Sequence, residues 1–144
     1  MKKLMMLATL IVGAYFGFSH PNHTDFRVSE SSESRALSGS SSFDQSHSNR
    51  QVQGEGVVVK VLPDDNTGSR HQKFILKLSS GQTVLVTHNI DLAPRVSSIS
   101  PGDTVAFNGE YEWNEKGGVV HWTHHDPNGK HEAGWLKAAG RTYQ

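Results

Sequence analysis

The residues from Gln51 to Gln144 predict an all-β domain. Three observations carry that reading. Apolar and polar residues alternate with period two in "HQKFILKL" and "TVAFNGEYEW", the pattern of strands with one buried face. "GVVVKVL" and "TVLVTH" are rich in β-branched residues, which fit a pleated surface. Short clusters of Gly, Pro, Asn, Asp and Ser punctuate these runs at the spacing of strand connections.

Taken in order, the first strand spans residues 56–62 and alternates around Lys60. "PDDNTGS" is a turn-rich loop. The second strand, residues 71–78, puts Phe74, Leu76 and Leu78 on one face and Lys73, Ile75 and Lys77 on the other. "SSGQ" is a hairpin loop into a third strand, residues 83–88. "NIDLAPRVSSISPGD" is the longest connection, with one turn ending before Pro94. The fourth strand, residues 104–113, sets Val105, Phe107, Tyr111 and Trp113 against Asn108, Glu110 and Glu112. "NEKGG" turns it into a fifth, residues 119–125, and a last pair, "GWLK" and "RTYQ", closes around "AAG". A meander of three, a crossover and a hairpin predict a small five-stranded Greek-key barrel, OB-fold-like. Gly109 permits the curvature such a barrel needs.

The N-terminal third reads differently. Lys2 and Lys3 precede an apolar run from Leu4 to Phe18. That run is shorter than the roughly 20 residues of a membrane span, and Gly17 and Ser19 suit a cleavage site. Residues 1–19 are therefore expected to be a signal peptide of bacterial type. The mature protein is expected to be periplasmic or secreted, with no membrane span once the leader is removed. Residues 20–50 are Ser-rich with sparse, aperiodic apolar positions, and are expected to be a disordered linker. The folded domain is expected over 51–144.

Charge and composition exclude several functions. The chain holds 14 Lys+Arg against 14 Asp+Glu. A balanced domain leaves no electrostatic footprint for duplex nucleic acid or an anionic membrane. With no cysteine, disulfides, thiolate metal sites and cysteine nucleophiles are excluded. There is no nucleophile elbow, no phosphate loop, and no complete calcium loop around "DDNTG". "NIDLAP" resembles the strand-end Asp and Pro of staphylococcal-nuclease-like barrels, whose arginine and glutamate partners have no counterpart here.

The chemistry concentrates in "HWTHHDPNGKH", His121 to His131. On a regular strand His121 and His125 lie roughly 13 Å apart at about 3.3 Å per residue, too far to share one ion. Val120 and Trp122 share the other face, which makes Trp122 a core anchor. "DPNG" is a type I turn with Asp126 at its first position. A bulge at Gly129 sets His125 opposite His131, close enough for two imidazoles to share a zinc or copper ion. Asp126 and His88 are the candidates to complete that shell; the plain alternative is that Asp126 caps the turn and the histidines cover an edge. Around Arg70, His71 and Lys73, with His121 and Trp113, the OB-type face is expected to bind a ligand.

The segments "GEGVVVKVLPDDNTGSRHQKFIL", "HNIDLAPRV" and "GEYEWNEKGGVVHWTHHDPNGKHEAGW" resemble an uncharacterised bacterial family, domain of unknown function 3465. The resemblance covers about residues 51–144. It implies a small exported protein and carries no catalytic residues across. The expected function is an exported β-barrel binding module for a small polar molecule, a saccharide or a partner protein. The alternative is a metal-assisted or histidine-dependent hydrolase, including a nuclease-like one.

Overall fold

A computed structural model describes residues 43–144. The expected signal peptide, and the expected linker as far as residue 42, lie outside the described residues. Seven strands form: β1 (Arg50–Asp65), β2 (His71–Leu78), β3 (Thr83–Asn89), β4 (Thr104–Glu112), β5 (Val119–His121), β6 (Trp135–Ala138) and β7 (Arg141–Tyr143). The protein is all-β; among the described residues the only helix is a three-residue 3-10 turn, Gln45–His47. No helix among the described residues is long and apolar enough to cross a membrane.

The strands lie in one sheet, in the order β1-β2-β3-β5-β4-β6-β7. A further β1–β4 pairing closes the first five into a ring. β1 makes that closure because it is long. Its first half, Arg50–Val57, runs antiparallel to β4, and its second half, Gly56–Asp65, runs antiparallel to β2. The change of partner falls at Gly56–Val57, and register shifts between Val58 and Lys60 and between Leu62 and Asp65 bend the half that pairs with β2. The alternation predicted around Lys60 is interrupted there, and Val57, Val59 and Val61 face solvent.

β3 and β5 are parallel and pair only through Leu85–Val119 and Val86–Val120. β5 and β6 then share one edge of β4 end to end. β5 opposes Glu110–Glu112, and β6 opposes Val105–Asn108. The thirteen residues between them, 122–134, form an excursion without strand structure.

Inside the ring the alternating apolar residues meet. Phe74 and Leu76 from β2, Val84 and Val86 from β3, and Val105, Phe107 and Tyr111 from β4 are buried with Val58, Val120 and Leu136. One part of the linker expectation is corrected here. Residues 43–50 pack onto the domain: Phe43 is buried, its ring 5.2 Å from Tyr111 and 6.1 Å from Phe107. The Gln82 side chain donates to the Phe43 carbonyl at 2.6 Å. A single phenylalanine in a serine-rich run looks soluble, but its ring packs into the core against Phe107 and Tyr111. On the long connection Ala93 N–H bonds back to the Asn89 carbonyl, the single turn expected before Pro94. Gln72 then pins the loop by bonding both backbone groups of Val96 at 2.9 Å.

Candidate functional site

β3 continues to Asn89, while the chain after Val120 turns away within two residues. The two strands therefore splay, and a cleft of roughly 240 Å³ opens between them. Ser69, His71, Thr87, Asn89 and Leu92 line one side, and His121, Trp122 and His124 line the other.

The turning point is Trp122, whose φ is 56°. A bulky residue rarely holds that left-handed conformation. It ends β5 at His121 and corrects the predicted strand over 119–125. Trp122 is consequently not beside Val120 in the core. It is half-buried, and it is Thr123 and His124 that go inside. The excursion leaves and returns through a crowded neck. Gly134 N–H donates to the His124 carbonyl at 3.0 Å. A Cβ on Gly134 would lie 2.0 Å from the Trp122 carbonyl oxygen, and one on Gly109 would lie 2.4 Å from that of His121. Only glycine fits at either point.

Within the excursion Asp126 caps the predicted turn. Its carboxylate accepts from the backbone N–H groups of Asn128, Lys130 and His131, each at 2.9 Å. The Asn128 bond is the largest of the effects that hold its carboxyl below the ordinary range. His131 folds back and stacks on Trp122, ring centroids 4.1 Å apart and planes within 6°. Its Nε2 contacts the Glu110 carboxylate, and its Nδ1–H donates to the Glu132 carbonyl at 2.8 Å.

Behind the cleft sits His88, fully buried. The Thr123 hydroxyl and the Pro94 carbonyl take its two ring nitrogens at 2.8 and 2.9 Å. Nε2–H must donate to the carbonyl, and in the neutral ring that burial favours, Nδ1 accepts from the Thr123 hydroxyl. Burial pushes its pKa down to about 4, with smaller contributions from the His124 and His71 charges working against the Pro94 bond.

The four residues expected to hold a metal therefore do not assemble. His88 has both nitrogens in use, Asp126 has both oxygens on the turn, His131 is paired with Glu110, and His125 is exposed. Among the described residues no group of three or more His, Asp or Glu converges as a metal shell. The reason is the end of β5 at Trp122: without a strand there, no hairpin sets His125 against His131.

Of the expected ligand-binding residues, His71 and His121 reach the cleft. Lys73 borders it, in register with Thr87. Arg70 does not line it. Its backbone N–H and its Nε bond the Asp91 carboxylate at 2.8 and 2.7 Å, joining the loops on either side. Trp113 follows the far end of β4, opposite the start of β5, whereas the cleft lies beyond β5's end. The sequence reading missed His124, Trp122, Thr87 and Asn89. Alternation along β3 and in-register pairing with β2 could have found Thr87 and Asn89.

Two imidazoles of the cleft are fixed in orientation. His71 Nδ1–H donates to the Ser69 carbonyl at 2.8 Å, and His124 Nδ1–H to the His125 carbonyl at 2.7 Å. A nitrogen facing a carbonyl must carry the proton, so each neutral ring keeps Nε2 as a lone-pair acceptor. His121 is different: its Nε2 is buried without a hydrogen-bond partner among the described residues, and the Glu112 carboxylate stands 3.5 Å away.

A small all-β chain built on a five-strand ring, with a polar, imidazole-lined cleft at one end, is the class these features define. The chain belongs to the family described as protein of unknown function DUF3465, which matches residues 26–144. No curated protein matches it.

Proposed function

We propose that this protein is an exported binding module, an OB-fold-like barrel that holds a small, polar, hydroxyl-bearing ligand between β3 and β5. The observation that carries the reading is the pair of pre-oriented imidazoles, His71 and His124, in one cleft. Each offers an acceptor whose direction is set before the ligand arrives, which lowers the ordering cost of binding. Ser69, Thr87 and Asn89 add donors and acceptors, and Leu92 adds an apolar wall. Among the described residues the lining holds no Lys, Arg, Asp or Glu, with Lys73 only at its border, which favours a neutral ligand over an ionic one. The strand order β1-β2-β3-β5-β4, closed by β1–β4, with β3 and β5 parallel, supports the OB-type reading. Export rests on the leader-like N-terminus.

The test is titration of the purified protein with neutral mono- and disaccharides and small polyols, followed by amide chemical shifts and calorimetry. Shifts should cluster at residues 69–71, 87–92 and 121–124. His71→Ala and His124→Ala should each weaken binding by about 10-fold, the equivalent of one hydrogen bond of about 1.4 kcal/mol. Trp113→Ala, at the far end of β4, should leave it unchanged. Binding that survives both histidine changes would move the site elsewhere. The hydrolase alternative rests on His121 and Glu112. Turnover of an ester or phosphodiester by the wild type, abolished in His121→Ala, would favour it.

A further inference from the structure

We propose that His131 is a protonation-dependent latch on the wall of the cleft: as an imidazolium it holds Trp122 in place, and on losing its proton it lets the 122–134 excursion loosen.

The geometry comes first. Both ring nitrogens of His131 face acceptors that cannot donate, the Glu110 carboxylate and the Glu132 carbonyl. Satisfying both requires N–H at both positions, which only the imidazolium has. The charged ring lies flat on the indole of Trp122 at 4.1 Å, where the negative face of the π system attracts a cation. Trp122 is the residue that needs holding. Its φ of 56° is unfavourable for a bulky side chain, and such a conformation persists only where its surroundings over-determine it. Beneath it, the neck from Gly134 N–H to the His124 carbonyl is a single backbone bond.

The surrounding charges favour the latched state. Glu110 faces His131 from β4, and Asp126 and Glu132 flank it within the excursion, against Lys130 as the one nearby cation of the same segment. From β5, His121 stands opposite Glu110 in register but leans on Glu112. His124 tilts against Trp122, ring centroids 5.5 Å apart. From β1, Gln51 lies opposite Glu110 and is neutral. Burial works against the charged form of His131, but the Glu110 bond, the Glu132 carbonyl and the Glu110 and Asp126 charges outweigh it and raise the pKa above its ordinary value. The latch is thus fully closed below the ordinary histidine value and opens as pH rises through the raised one. It stands whether or not the cleft takes a ligand; that opening also weakens binding follows only with the function proposed above.

The experiment is an NMR titration of the intact protein from pH 5 to 9, following the His131 ring, the Trp122 indole N–H and amide exchange over residues 122–134. His131 and the Trp122 indole should titrate together with one midpoint above 6.5, and exchange in the excursion should rise at least several-fold across it. Glu110→Gln removes the facing charge while keeping an acceptor, and should lower the shared midpoint by about 1 pH unit. His131→Phe keeps the stack without the proton, and should leave Trp122 and the exchange rates independent of pH. A Trp122 signal that stays flat while His131 titrates, or one that still titrates in His131→Phe, would overturn the latch. A His131 midpoint at or below 6.5 would overturn it equally. If His131→Phe fails to fold, the Glu110→Gln shift alone decides.

Discussion

His88 shows how much one side chain can be committed to the fold. It is fully buried and ties β3 to both the long connection, through Pro94, and the excursion, through Thr123. His88→Ala removes packed volume and strands the Thr123 hydroxyl. It should destabilise the domain by about 2–4 kcal/mol, measured by urea unfolding at pH 7.5. Gly134→Ala should be comparably harmful for the opposite reason. Its Cβ would meet the Trp122 and Asn108 carbonyl oxygens at 2.0 and 2.5 Å, backbone atoms that cannot swing aside. A loss of at least about 1–3 kcal/mol is expected, and a melting temperature equal to wild type would contradict the crowded neck. The burial of His88 was legible in the sequence. It follows Val84 and Val86 at period two, which assigns it to the inner face of β3. Reading it as a metal ligand gave histidine chemistry priority over alternation. Trp122 was not legible. Neither glycine nor asparagine marks its left-handed turn, and a tryptophan two residues after Val120 reads as core.

Among the elements, strands with one clean alternating face were readable nearly to the residue. β2 falls where expected, and β3 and β4 differ by one residue at an end. β1 was underestimated because its start, "RQVQGE", is polar. It is a strand because β4 offers Thr104–Tyr111 as a partner, a long-range cause that local pattern does not carry. The same holds for the segment before it. Asp44 caps the short turn by accepting from Ser46, and Ser48 accepts from the Trp113 backbone N–H at 3.0 Å. Phe43 is the part that matters energetically. Phe43→Ala should cost about 3–5 kcal/mol, as should beginning the chain at Gln51, whereas beginning it at Ser34 retains the residue and its stability. Differential scanning calorimetry of the three proteins checks this. Equal melting temperatures would show that the core holds without Phe43.

At the scale of the whole molecule, the two histidines with opposite preferences set a window of pH. His88 is neutral when folded, with a pKa of about 4 against an ordinary 6.5. The unfolded chain takes up that proton more readily, so the contribution is complete above 6.5 and lost as pH falls toward 4, up to about 3 kcal/mol. His131 is charged when folded, with its pKa raised by its partners against the cost of burial. Its contribution is complete below 6.5 and lost as pH rises through the folded value. The two slopes face each other across the one excursion, since Thr123 is held by His88 while Trp122 is held by His131. Unfolding free energy measured from pH 4 to 9 should therefore form a dome near neutrality. His88→Gln should flatten the acid side alone, and Glu110→Gln should weaken the alkaline side alone. The converse pattern, or an acid side unchanged in His88→Gln, would mean that the carboxylates of the turns govern the curve. Asp126, held ionised by three backbone N–H groups, would then be the next group to remove.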